Sequence, residues 1–436
     1  MSAVRLGHVL DLAIEKGVYR GLGLARHEGQ VVFVPRGLPG ERVRARVEKI
    51  GRGFVRAGTE AVLSPAPDRR AAPCPLFERC GGCAYQHLDY AAQLRLKEGV
   101  VRESLARAGA GWDGPIEVVS SPETGWRTRA RFHLQEVAGE WRLGLHEEGS
   151  HRVVDLETCL QVGPGLLGAA RALRDGLAAQ PSWARRVSEI ALAESGDGSA
   201  CVAALTWDDD PAAGAGLAAL AANAPWITGL GLATAAEDGR YVGLAGSPYV
   251  ESEAAGHGYR AHALSFFQAN RHLLAPLVAR VQAWSAGSGP VLDLFAGVGL
   301  FALALAEGAP SVVAVEQDGR SIEDAEANRE RAGLTNVRFL RTDVAAALAA
   351  LPAESGERIV LDPPRTGAGA DVVRRIAARE PASVVYVSCD PPTLGRDLAV
   401  FAATGYAPES VAVLDMFPDT FHVETIVRLV PRPPAL

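Results

Sequence analysis

Lysine is nearly absent from this chain: of its 44 basic residues only Lys16, Lys49 and Lys97 are lysines. Together with the abundance of alanine and glycine, this bias reads as genomic base composition rather than function. Long hydrophobic runs are missing too. Nothing approaches the roughly 18 uninterrupted apolar residues of a membrane-spanning helix. The opening MSAVRLGHVLDLAIEKG carries charges where a secretory signal has its apolar core. The expectation is a cytoplasmic monomer without a membrane partner, whose thiols stay reduced. Its six cysteines are then ligands, nucleophiles or core residues. Repeats at solenoid periods are also lacking, so 436 residues with 48% hydrophobic content predict two or three ordinary domains.

Charge is present but uneven. The formal net charge is -7, yet residues 1–135 hold 21 Lys/Arg against 14 Asp/Glu, and the remainder 23 against 37. A basic front and an acidic back suit a polyanion gripped from one end; chance fluctuation along a long chain would look the same. Residues 1–62 read as short strands with turns at Glu28-Gly29 and Leu38-Pro39-Gly40, a small β-barrel. In RVRARV, Arg42, Arg44 and Arg46 alternate with Val43, Ala45 and Val47, so the arginines share one strand face. That stripe suits phosphates, and equally a barrel that merely keeps its exterior soluble. A Pro-rich linker then leads into three cysteines and a helix near 89–109, striped with Leu94, Val100, Val101 and Leu105. Residues 116–260 read as a middle domain of strands and helices. From about Phe266 strands and helices alternate, which predicts a parallel, doubly wound sheet.

The chemistry sits at the ends of those strands, where open α/β sheets bind ligands. In DLFAGVGLF a glycine pair, Gly297 and Gly299, follows the strand ending near Asp293 and lets backbone approach a ligand. Glu316 closes the next strand, where a carboxylate grips ribose hydroxyls, and Asp343 ends the third, where an adenine amino group would lie. This layout serves both S-adenosylmethionine and nicotinamide enzymes, and a tight turn that binds nothing would also need glycine. Asp362-Pro-Pro-Arg365 decides for S-adenosylmethionine, because it places a carboxylate beside a methyl donor and an acceptor base. VVYVSCDPP delivers Cys389 to the fifth strand end, directly into a proline turn. A cysteine nucleophile there points to carbon 5 of a pyrimidine, which a thiolate adding at carbon 6 makes nucleophilic. A base must then remove the carbon 5 proton. Glu424, at the start of the last strand, is the candidate, with His422 competing.

Cys74-x5-Cys80-x2-Cys83 has metal-ligand spacing, and Cys159 is the best fourth ligand, whereas Cys201 reads as strand core. Zinc and an iron–sulfur cluster both remain open on spacing. Arg127, Arg129 and Arg131 alternate with residues such as Ala130 and Phe132, as a phosphate rail or a solvated strand face.

Taken in order, CPLFERCGGC, GWRTRARF, SFFQAN, DLFAGVG, VEQD, DPPR, YVSCDPPTLGRDL and FPDTFHVE resemble the RNA (uracil-5-)-methyltransferase family. GLGLARHEGQVVFV through LPGERV resembles the TRAM domain, an OB-like RNA-binding module. The family implies Cys389 as nucleophile, Glu424 as base, and Asp362 contacting donor and target. It further implies Gln268, Phe295, Glu316 and Asp343 in the S-adenosylmethionine pocket, with Asp293, Gly297 and Leu300 in the glycine turn. It implies a structural [4Fe-4S] cluster on Cys74, Cys80, Cys83 and Cys159. Two residues depart from the family: Asp390 stands where Asn is common after the nucleophile, and Leu300 where a polar residue is frequent. Leu300 can still offer a backbone N–H, whereas Asp390 adds a negative charge beside the thiol.

The expected fold is α/β, with a Rossmann-like class I methyltransferase domain over 261–436. An OB-like TRAM barrel over 1–62 and a middle α+β iron–sulfur domain over 63–260 precede it. A helix over about 86–112 is expected to pack on the catalytic domain. A TRAM domain with a cluster fits the branch acting on 23S rRNA, and Arg42, Arg44, Arg46, Arg127, Arg129 and Arg131 are the expected RNA contacts. The alternatives are a tRNA T-loop uracil-5 methyltransferase, an amino-group methyltransferase that needs no Cys389, and a non-catalytic cluster-bearing RNA-binding protein.

Overall fold

The computed structural model describes residues 4–208, 211–222, 224–234 and 240–432. Five strands, β1 (Val9–Val18), β2 (Leu22–His27), β3 (Gln30–Pro35), β4 (Arg42–Gly51) and β5 (Phe54–Ser64), close a barrel in the order β1-β2-β3-β5-β4. Alternation drives the closure. β1 and β4 each bury every second residue, so Leu10, Leu12, Val43, Ala45 and Val47 fill the interior. Glu28 and Gly29 both adopt positive φ (48° and 82°), as a two-residue hairpin of primed type requires. The linker that follows is pinned to the barrel by wholly buried Glu41, which accepts hydrogen bonds from Leu38 N, Ala66 N and the Arg69 guanidinium.

Next come α1 (Tyr90–Arg107) and β6 (Ile116–Val119). The middle sheet is built from β7 (Arg129–Val137), β8 (Glu140–His146), β9 (Val153–Asp155), β10 (Val187–Glu194), β11 (Cys201–Trp207), β12 (Ile227–Thr234) and β13 (Tyr241–Gly246), in the order β13-β12-β11-β10-β7-β8-β9. Helix α2 (Pro164–Ala178) packs its buried Leu166, Leu173 and Leu177 on one face of that sheet. Two short helices, α3 (Pro181–Ala184) and α4 (Ala219–Ala222), lie in its connections, and the hairpin β14 (Tyr249–Ala254)/β15 (His257–His262) follows.

The largest sheet has eight strands. β16 (Val291–Leu294), β17 (Val312–Glu316), β18 (Val337–Arg341), β19 (Arg358–Leu361) and β20 (Ser383–Ser388) are parallel, and β21 (Tyr406–Leu414) and β22 (Glu424–Pro431) form an antiparallel pair, in the order β18-β17-β16-β19-β20-β22-β21-β6. Helices α5 (Leu274–Trp284), α6 (Leu300–Ala306), α7 (Gly319–Arg331), α8 (Val344–Ala350), α9 (Ala370–Ala378) and α10 (Pro391–Ala403) accompany it. β19 and β20 are buried along their whole length, as strands covered on both faces must be. Two elements reach this sheet from before residue 261. β6 pairs with β21 in parallel at the sheet edge, although its sequence position suggests the middle domain. α1 lies on α10, where a side chain at Gly395 would collide with Ser104 O at 2.8 Å.

α1 differs from its expected stripe. Leu94 is only half-buried, whereas Gln93 and Lys97 are buried beside Val100, Val101 and Leu105. Lys97 Nζ donates to Asp415 Oδ1 at 2.6 Å and to Phe417 O at 3.0 Å. Gln93 exchanges two hydrogen bonds with Asp419, at 2.9 and 3.1 Å. Through these contacts α1 fixes the segment 415–419 that leads into β22.

Candidate active site

The strand reversal at β22 brings the expected base to the expected nucleophile. β22 runs against β20 with Ser388 opposite Thr425, so the start of β22 lies at the carboxyl end of β20. Cys389 follows β20, Glu424 opens β22, and Asp362 follows β19, the parallel neighbour of β20. Three groups far apart in sequence thus share one end of one sheet.

Their electrostatics are mutual. Glu424 is 2% exposed and its Oε1 has no hydrogen-bond partner among the described residues. Burial, and then the charge of Asp362, push its carboxyl well above the usual range, with Arg365 opposing. Burial also pushes Asp362 up to about 7, against the Gln268 amide that donates to Oδ2 at 3.1 Å. The Cys389 thiol is pushed up to about 12 by burial, Glu424 and Asp362; Arg365 works against the shift and Asp390 adds least to it. An acidic, desolvated pocket of this kind favours a cation such as a sulfonium. His422 is the poorer base: burial and Arg365 push its ring down to about 3. Arg365 Nη2 lies 3.2 Å from its Nε2, so that nitrogen accepts and the ring is neutral.

On the other side of the crevice the turn after β16 is tightly wound. Phe295, Gly297 and Gly299 all have positive φ (62°, 53° and 86°); for a phenylalanine that conformation is strained. Glu316 braces the turn, accepting from Gly297 N at 3.0 Å and from Gln317 N and Asp318 N at 2.8 Å. Leu300 begins α6 with its side chain buried. Asp343 is exposed and caps α8 through Ala346 N. Asp293 has no exposed surface, so it lies beneath the turn and not on the crevice wall; burial, Asp362 and Glu316 push its carboxyl well above the usual range.

The four cysteines form a second group, and Arg127 beside them also acts on His422 of the crevice. Cys80 feels the charges of Cys159 and Cys74, and Cys83 that of Cys159. The side-chain amides of Gln86 and Gln161 donate to Cys83 Sγ at 3.1 and 2.9 Å, and Gly82 N donates to Cys80 Sγ at 3.4 Å. Beside them Arg127, whose Nε has no hydrogen-bond partner among the described residues, faces Cys159 and Cys83. Burial pushes the thiols of Cys80, Cys83 (to about 12) and Cys159 up, and these amide donors and, at Cys159, the Arg127 cation work against that shift. Among the described residues, however, no three His, Cys, Asp or Glu side chains form a site for a single metal ion.

The expected arginine contacts fare differently. Arg42, Arg44 and Arg46 do face outward from β4, but Arg44 is bidentate to Asp11 (2.8 and 2.9 Å) and Arg46 pairs with Glu60 at 2.6 Å. The second trio is not a rail. Arg129 Nη1 donates to His262 O and Ser265 O, Arg127 stacks on Trp126 beside the cysteines, and only Arg131 is exposed, paired with Glu189 at 3.2 Å. Alternation fixes which face a side chain takes; here carbonyls from the end of β15 and the loop after it occupy the face assigned to phosphate.

The tRNA (Uracil-5-)-methyltransferase family matches residues 253–432, and the TRAM domain residues 3–58. The chain is 35% identical over 440 residues to the 23S rRNA (uracil(1939)-C(5))-methyltransferase RlmD of Pseudomonas putida, covering 97% of this chain and 94% of that protein. It is 31% identical over 454 residues to an uncharacterized RNA methyltransferase of Thermosynechococcus vestitus, covering 98% and 99%. The chain belongs to the RNA (uracil-5-)-methyltransferase family. Members of this family use S-adenosylmethionine. In fold it is similar to the Pyrococcus abyssi tRNA (uracil-54, C5)-methyltransferase solved with S-adenosyl-L-homocysteine: TM-score 0.73, 24% identity, 97% of this chain and 100% of that one.

Several residues that shape the site of this family member escape motif reading. Arg365 faces Cys389, Glu424 and His422 at once, yet in sequence it only closes DPPR. Gln93 and Lys97 recur at i, i+4 within an apolar helix face, a spacing that marks buried polar groups with a distant partner.

Proposed function

We propose that the chain transfers a methyl group from S-adenosylmethionine to carbon 5 of a uridine in 23S rRNA through a covalent Cys389 adduct. The observation that carries this reading is the adjacency of Cys389 and Glu424 at paired strand ends, with Asp362 on the next strand. When bound, the donor supplies an electrophilic methyl on a sulfonium. The Cys389 thiolate, its proton lost to solvent, adds to carbon 6, and the electron pair released onto carbon 5 takes the methyl, whose bond to the sulfonium breaks to leave a neutral thioether. Glu424, buried and basic, removes the carbon 5 proton; the pair left behind expels the thiolate and restores the ring. Arg365 supplies the positive charge that tempers the acidic pocket during attack. Asp362, held by Gln268, orients donor and base. Gln268, Phe295, Gly297, Leu300, Glu316 and Asp343 would hold the donor, with Asp293 supporting the turn from below.

Cys74, Cys80, Cys83 and Cys159 would hold a [4Fe-4S] cluster, which cysteine thiolates ligate. Its chemistry here is structural: the thiolates balance Arg127, and the amides of Gln86, Gln161 and Gly82 donate to sulfur. The 23S assignment draws support from RlmD relatives that align over nearly the whole chain. Mass-spectrometric mapping of 5-methyluridine in RNA from a deletion strain tests it. Loss from 23S rRNA, restored by complementation, is the expected result; loss from tRNA alone would assign the tRNA branch instead.

A further inference from the structure

The turn joining β1 to β2 leaves the barrel and ends inside the catalytic crevice. Arg20 and Gly21 take positive φ there (71° and 73°), which makes the turn tight. Gly21 has no room for a side chain: a Cβ would lie 2.7 Å from Ala84 Cβ, with Phe421 Cβ at 3.8 Å. The Tyr19 ring packs edge-on against Phe421, with centroids 5.7 Å apart. Its hydroxyl donates to Asp390 Oδ2 at 2.8 Å. The other oxygen, Oδ1, accepts from Thr393 N at 3.0 Å and so caps α10. Both oxygens of the carboxylate next to the nucleophile are therefore engaged, one by its own helix and one by the RNA-binding barrel.

We propose that Tyr19 is a positioning residue for Cys389: its hydroxyl holds the Asp390 carboxylate in the capping position, so that barrel docking completes the nucleophile turn. The inference rests on Cys389 being the nucleophile. It explains how this chain tolerates an acid where an uncharged amide would serve. A carboxylate that accepts two hydrogen bonds is partly neutralised by them, whereas one with a free oxygen acts fully on its neighbour. The Tyr19 hydroxyl is itself pushed above its usual range by burial and Asp390, and so remains a donor. The titratable and charged groups facing this turn are Tyr19 from the barrel, Asp362 and Arg365 after β19, and His422 and Glu424 before and at β22.

The test measures adduct formation by full-length protein on a 5-fluorouridine-substituted 23S rRNA transcript with S-adenosylmethionine, as a function of pH. A carbon 5 fluorine cannot leave as a proton does, so each adduct persists. Tyr19→Phe should form adduct about tenfold more slowly at neutral pH, with its profile displaced to higher pH by about one unit. Its RNA affinity in filter binding should stay within about twofold of wild type. In an Asp390→Asn background, Tyr19→Phe should have little further effect on rate or profile. A weakened RNA affinity with an unmoved pH profile would make Tyr19 a docking contact only and overturn the proposal. An effect of Tyr19→Phe that persists undiminished in the Asp390→Asn background would overturn it too. Cys389→Ala separates the two layers: an adduct formed by that variant would reject the nucleophile itself, whereas a wild-type-like Tyr19→Phe beside an inert Cys389→Ala would reject only the positioning role.

Discussion

Replacing Lys97 with methionine should loosen the segment that carries the base. Lys97 and Asp415 are 1% and 0% exposed in their side chains and 2.6 Å apart. Methionine keeps the length of the stem but removes the ammonium, leaving the Asp415 carboxylate buried without its cation and Phe417 O without that donor. Breaking one side of a buried pair costs about 3–5 kcal/mol. Only part of the chain depends on this contact, so the cost should appear as local opening rather than as a simple global transition. Amide hydrogen exchange over 415–424 should accelerate by roughly a hundredfold to a few thousandfold, the equivalent of that free energy. Exchange in β10 and β11 of the middle sheet should not change. The pair replacement Lys97→Met with Asp415→Leu should recover most of the protection, since apolar substitutes for a buried pair are often neutral or stabilising. Unchanged exchange in Lys97→Met, or no recovery in the double variant, would refute the reasoning.

The acidity of the pocket predicts the pH dependence of attack. With the Cys389 thiol near 12, its thiolate fraction should rise about tenfold per pH unit through neutrality, and adduct formation should follow it in single-turnover assays. Below about pH 7 Asp362 gains its proton and stops opposing the thiolate, so the profile should flatten on the acid side; a plateau near pH 8.5 would contradict the shift. For RNA binding, Arg42 makes no ion pair among the described residues, so Arg42→Ala should flatten the log–log salt dependence by about 0.7–0.9. Asp11→Ala, which releases Arg44, should steepen it; unchanged slopes for both would make the stripe a solvated face. Anaerobically purified protein should hold iron and sulfide at about four each per chain, lost in Cys159→Ser. Stoichiometric zinc without iron would sink the cluster.

Much of this was legible because the barrel and the βα series obey local rules. The alternation in RVRARV and the Glu28-Gly29 turn announce the barrel, and strand ends marked by Gly297, Glu316, Asp362 and Cys389 announce the crevice. What escaped depends on partners remote in sequence. β6 has four residues and pairs with a strand nearly three hundred positions later, so no local pattern could move it out of the middle domain. Lys97 reads as a solvated break in a helix stripe until Asp415 is placed beneath it, 318 positions away. Arg129 has the periodicity of a phosphate contact, but periodicity cannot say that the carbonyls of His262 and Ser265 fill that face. The approach of Tyr19 to Asp390 spans 371 positions and two folding units.

The assignment of nucleophile and base is tested most directly by trapping the intermediate between them. Glu424→Gln keeps the shape of the buried side chain but removes the basic oxygen, so addition and methyl transfer proceed while elimination stalls. Incubated with RNA and labelled S-adenosylmethionine, this variant should accumulate a protein–RNA species that survives denaturing electrophoresis and carries the label. Cys389→Ala, and the double variant, should bind RNA and yield neither adduct nor methylated product. Normal turnover by Glu424→Gln would remove Glu424 as the base, and a labelled adduct in the absence of Cys389 would contradict the mechanism as a whole.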